Sequence, residues 1–156
     1  MHRLLSCLVA VMTLSGSALA QTTPDPSKVL ADFRADLQAV RSDVLAKNIS
    51  LTAAEAAKFW PLYEKFQAEQ SVIMDGQLKG TQAFAEAYDK LDDATALKYL
   101  DVLLTRDEAM VALRRKWLPE FQKVVSATAA ARVIQIDRRL SQAFQVQLSS
   151  QIPLVR

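Results

Sequence analysis

Residues 94 to 125 read ATALKYLDVLLTRDEAMVALRRKWLPEFQKVV. One apolar series recurs every seven residues: Leu97, Leu104, Val111, Leu118 and Val125. A second runs through Leu103, Met110, Trp117 and Val124. Seven residues are close to two helical turns, so both series lie along one side of an α-helix as a broad apolar stripe. A stripe of that length and width calls for neighbouring helices, and the reading is an all-α bundle. Asp92-Asp93 stands just before the stripe as an N-cap, because a short carboxylate accepts the free N–H groups of a first turn. Pro119 predicts a bend near the helix end, since proline lacks an N–H and crowds the preceding turn.

Helical signals continue in both directions. Upstream, Thr52 and Glu55 have the spacing of a capping box, in which each side chain bonds the other's backbone N–H. They open a helix to about Met74 through Phe59, Trp60, Leu62, Tyr63, Phe66 and Ile73, with Pro61 predicting a second bend. Asp75 to Thr81, with two glycines, reads as a loop, and a short helix follows over Gln82 to Lys90. Nearer the start, Leu30, Phe33, Leu37, Val40 and Val44 step by three and four, which predicts a helix from Ser27 to Lys47. Asn48-Ile49-Ser50 breaks it. Downstream, Ser126 caps a last helix over Ala127 to Ser150, with Val133, Ile136, Leu140, Phe144 and Leu148 inward and Pro153 as its stop. Residues 58 to 66 (KFWPLYEKF) resemble residues 116 to 124 (KWLPEFQKV) at an offset of 58. The repeat hints at two related helical hairpins about a local twofold. The expected fold is one small domain, residues 27 to 156, of four or five bent helices in antiparallel hairpins.

The beginning of the chain has a different character. Arg3 precedes an apolar run from Leu4 to Leu14, and Ala18-Leu19-Ala20 supplies a small-x-small site before Gln21. This is the pattern of a bacterial secretory signal peptide cleaved after Ala20. The run is too short to span a bilayer, which needs about 20 residues. Cys7 lies before most of the apolar run, not after it, which argues against a lipoprotein acceptor. Residues 21 to 26 (QTTPDP) read as a flexible tail, and the expected location is the periplasm.

Removing residues 1 to 20 removes the only Cys (Cys7) and the only His (His2). The remaining chain has no disulfide, no thiolate or imidazole metal ligand, no haem-attachment motif and no Ser-His-Asp or Cys-His nucleophile. Loss of Arg3 lowers the net charge from +2 to +1, which attracts no nucleic acid in general. No second apolar stretch is long enough for stable membrane insertion. No carboxylate pair stands out for acid–base chemistry. The expectation is a non-enzymatic protein without metal or other cofactor.

The leader, the small all-helical mature chain and Leu51-Thr52-Ala53-Ala54-Glu55 together resemble the Spy/CpxP-like periplasmic proteins, whose mark is an LTxxQ motif. Glu replaces Gln at the fifth position, and both residues serve in a capping box. A second match, Leu104-Thr105-Arg106-Asp107-Glu108, falls where the heptad stripe implies mid-helix. The segment Phe59 to Phe66 and the terminal AARVIQIDRRL and IPLV also look like small exported helical proteins of that group. The resemblance implies a curved helical hairpin, often dimeric, that holds unfolded envelope proteins without ATP. The alternative it implies is a regulator that binds the periplasmic part of a membrane sensor of envelope stress. Metal sensing, which relatives perform with His ligands, is not implied here. A structural or adhesion subunit is a third reading.

The candidate partner-binding residues are Arg114, Arg115, Lys116, Arg138 and Arg139, with Trp60 and Trp117 as apolar contacts. Long cations can recruit acidic or unfolded partners while their stems cover apolar surface. Their plainer roles are a solvated helix face for the cations and core packing for the two Trp. Asp89, Asp92 and Asp93 lack calcium-loop spacing and suit caps. Gln135 and Gln142, seven apart, suit a polar surface stripe. The apolar stripe is wide for one small bundle to bury, which predicts self-association, with a homodimer as the simplest case.

Overall fold

The computed structural model describes residues 26 to 155, with side-chain surroundings from residue 37. The leader, residues 21 to 25 of the tail, and the surroundings of Leu30 and Phe33 lie outside the described residues. Within them are four α-helices: α1 (Pro26–Asn48), α2 (Ala53–Ala87), α3 (Asp93–Gln122) and α4 (Ala127–Ser149). A short 3-10 turn, Tyr88–Lys90, follows α2. The protein is a small all-α domain, as the apolar periodicity requires.

The caps are where short polar side chains can meet free N–H groups. Thr52 Oγ1 accepts from the Glu55 N–H at 3.2 Å, and Glu55 Oε2 accepts from the Thr52 N–H at 2.8 Å. The Thr52 N–H, and then the Thr52 hydroxyl donating to Glu55 Oε2 at 2.8 Å, hold the Glu55 carboxyl below the usual carboxylate range. Asp92 accepts from the Thr95 N–H at 2.8 Å and opens α3; the Thr95 side chain first, and then this N–H, lower its carboxyl. Ser126 accepts from the Ala129 N–H at 3.2 Å and opens α4. Pro26 is the first residue of α1, where its missing N–H leaves no bond unmade.

One expected loop is not there. Residues 75 to 81 continue α2, which runs unbroken to Ala87 and absorbs the short helix expected over 82 to 90. The glycines serve packing instead. A Cβ on Gly80 would lie 2.5 Å from Val102 Cγ1, so α3 could not approach α2 as closely there with any other residue. Gly76 has nothing within 4 Å of that position.

α2 and α3 form the main antiparallel hairpin. Phe59 meets Phe121, Phe66 meets Trp117, Gly80 meets Val102, and Phe84 stacks on Tyr99 with ring centroids 4.0 Å apart. The two similar segments, 58 to 66 and 116 to 124, therefore lie against one another as the two sides of one aromatic core. α4 returns along α3, and Phe59, Tyr63, Phe66, Met110, Trp117, Phe121, Ala130 and Val133 are all buried with α1's Leu45. Leu104 to Glu108 is inside α3.

The inward faces are rotated from those the apolar spacing suggested. On α1, Val40 is 54 % exposed while Arg41 and Leu45 are buried. On α4, Val133 is buried as expected, but Asp137 and Ser141 continue its line, and Ile136, Leu140, Phe144 and Leu148 are only partly covered. On α3, one seven-residue series points inward through Met110 and Trp117. The other begins outside: Leu97 is 66 % exposed, Leu104 54 % and Val111 50 %, and only Leu118 and Val125 reach the core or its edge. α3 packs against α2 and α4, and the side turned away from both is left uncovered.

Candidate functional site

Where α1, α2, α3 and α4 meet, the centre is polar. Asp137 on α4 is 1 % exposed, and its Oδ1 accepts from Arg41 Nη1 of α1 and from Gln70 Nε2 of α2, both at 2.7 Å. Its Oδ2 accepts from Arg114 Nε of α3 at 2.9 Å. Arg41 Nη1 also donates to Gln70 Oε1. Ser141 Oγ, one turn beyond Asp137, accepts from Arg114 Nη2 at 3.0 Å and from Arg41 Nη2 at 3.4 Å. A buried charge is tolerated only when paired and hydrogen-bonded, and this cluster provides both. It holds two guanidinium groups and one carboxylate, a surplus of one positive charge. Burial pushes the Arg41 guanidinium down, Asp137 opposes that shift, and the charges of Arg114 and Arg106 reinforce it. The neighbouring Tyr63 hydroxyl is pushed up, first by burial and then by Asp137.

Periodicity alone does not find this cluster, because it ranks apolar residues. A signal was nevertheless present. Arg41 stands four residues from both Leu37 and Leu45, and Asp137 four from both Val133 and Ser141. Polar residues at those steps occupy the inward line of their helices.

Outside this cluster, α3 and α4 border an open cleft of about 690 Å³. Arg114 and Arg138 face it from the two helices, Arg106 and Asp107 lie further along, and Val111 and Val146 supply apolar walls. Arg106 Nη1 is paired with Asp107 at 2.7 Å.

The seven candidate residues are separated by the structure. Arg114 faces inward to Asp137 and also lines the cleft. Arg138 lines the cleft from α4. Arg115 and Arg139 are exposed. Lys116 bonds Glu69 at 2.7 Å across α2 and α3, and this bond lowers the Glu69 carboxyl. Trp117 is 6 % exposed, donates its Nε1–H to Glu69 at 3.1 Å and packs on Phe66 and Phe121. Trp60 is half-buried at the edge of the same core, edge-on to Phe59 and Tyr63. Asp89 lies in the 3-10 turn, Asp92 caps α3 and Asp93 is its first residue. Gln135 and Gln142 are exposed, and Gln142 lines the cleft.

Beside Arg115 lies a surface of which the sequence assigned Leu97, Leu104 and Val111 to the core. Leu97, Leu100, Leu104 and Val111 form an exposed apolar row on α3, and Arg115 follows four residues after Val111 on the same side. Glu108, also exposed, lies on the same side between Leu104 and Val111.

No group of three or more Asp, Glu, His or Cys is placed to hold a metal ion among the described residues. No described helix is long and apolar enough to cross a membrane. No family model, curated protein or solved structure matches the chain.

Proposed function

We propose that this protein is an exported, periplasmic holding module that shields apolar segments of unfolded envelope proteins without ATP, as its resemblance to the Spy/CpxP-like proteins implies. The observation that carries the reading is the exposed row of Leu97, Leu100, Leu104 and Val111, ending in Arg115. Such a row offers an extended apolar segment a strip to lie on, and the exposed cations Arg115 and Arg139 attract acidic chains. Contacts of this kind are weak singly and adaptable, which suits partners of many sequences.

Light scattering of a chemically unfolded client tests it. The protein suppresses scattering at near-stoichiometric ratios, and salt weakens the effect. The pair Leu97→Ser and Leu104→Ser abolishes suppression, and replacing Arg115 and Arg139 together by Ser reduces it with helicity unchanged. Arg114 stays in place in these variants because it holds Asp137. Unsuppressed scattering at large excess of protein would sink the reading.

A further inference from the structure

The cleft between α3 and α4 is more than a gap between helices. Its polar end is backed by the buried cluster, in which Asp137 is shared between Arg41 and Arg114. Both oxygens of that carboxylate are already engaged. Arg114 uses Nε and Nη2 inside the cluster, and its Nη1 meets no acceptor among the described residues. On the facing helix, Arg138 makes no ion pair or hydrogen bond among the described residues and lines the same cleft. Arg106 stands eight residues before Arg114, or about 12 Å along the helix at 1.5 Å per residue. Its charge is met by Asp107. The unmet positive charge therefore concentrates at the Arg114–Arg138 end. Between the two ends, Val111 on α3 and Val146 on α4 are 50 % and 69 % exposed on opposite walls.

We infer that this cleft binds an anionic amphiphile, its oxyanion between Arg114 and Arg138 and its apolar body along Val111 and Val146. Guanidinium groups present paired N–H donors that match carboxylate and phosphate oxygens. An anion there balances the surplus charge that Asp137 alone leaves, in a place where the protein wall keeps water to one side. A cleft of about 690 Å³ is within the range of small-ligand sites. The ligand's direction is fixed by the same features: the head lies toward the α3–α4 turn and the tail points toward Arg106. The inference rests on the cleft and not on the holding function, whose apolar row along α3 meets the cleft only at Val111.

Calorimetric titration of the purified full-length protein with dodecyl phosphate and with dodecanoate, each below its micelle concentration, tests the site. One molecule binds per chain, and Arg138→Gln weakens binding about tenfold, the scale of one charge-assisted hydrogen bond. Arg138 makes no ion pair or hydrogen bond among the described residues, so this variant keeps its helicity by circular dichroism. Arg139→Gln, next to it but outside the cleft, leaves binding unchanged. Val146→Ser weakens binding of either amphiphile and leaves client holding as it was. A preference for dodecyl phosphate assigns a phosphoryl headgroup, and a preference for dodecanoate assigns a carboxylate. Absence of binding by both, equal binding of dodecyltrimethylammonium, or an unaltered affinity in Arg138→Gln overturns the inference.

Discussion

Replacing Asp137 by Asn keeps the shape of the side chain and removes its charge. Arg41 and Arg114 then share one neutral amide, with Arg41 fully buried and Arg114 at the edge of the cleft. Breaking a buried ion pair from one side leaves the other charge uncompensated, and the usual loss is about 3–5 kcal/mol. Urea unfolding of Asp137→Asn is expected to show a loss of that order. Arg115→Gln, on the exposed side of α3, should change stability by no more than about 0.5 kcal/mol. The contrast separates cations that look alike in the sequence. Arg114 and Arg115 are adjacent, yet one faces a carboxylate in the core and the other faces solvent.

At the scale of the helices, the two glycines of α2 make opposite predictions. Gly76→Ala adds a methyl group to open space and removes the helix-interior penalty of glycine, so it should raise stability by about 1 kcal/mol. Gly80→Ala gains the same propensity but drives Cβ to within 2.5 Å of Val102. Valine is short and stiff about χ1, so the clash moves a helix and not just a side-chain tip. Overpacking of this kind costs about 1–3 kcal/mol, and the net effect on thermal unfolding should be destabilising. Adding Val102→Ala should recover most of it. The same glycines explain why a loop was expected at Asp75 to Thr81: glycine marks both turns and close helix approach, and one sequence does not distinguish them. The caps at Thr52, Asp92 and Ser126 were legible because their chemistry is local. The inward faces were less so. Apolar spacing placed Leu97 and Leu104 in a core, but exposure depends on how many helices surround α3. The proposed binding surface was legible only as cations, since the separation of Arg114 from Arg115 depends on which neighbour each side chain meets.

In the molecule as a whole, stability is uneven. The α2–α3 hairpin holds most of the aromatic core, whereas among the described residues α1 contributes Leu45 and a polar contact set through Gln38, Arg41 and Ser42. Elements with little buried apolar contact open first. Hydrogen exchange should therefore show α1 amides exchanging well before those of α2 and α3 around Phe66 and Phe121. Arg41→Ala should widen that gap, and uniform exchange across all four helices would contradict it. Asp137 also bears on motion along the helix axes. Apolar side chains repeated every seven residues find similar contacts after a two-turn slide, so a greasy interface alone permits several alignments. Sliding α4 by even one turn carries the Asp137 carboxylate about 5.4 Å from its donors. Arg41, Gln70 and Arg114 sit on three different helices and cannot all follow it. The carboxylate thus acts as a key between helices that would otherwise slip, and it leaves the bundle a single axial alignment.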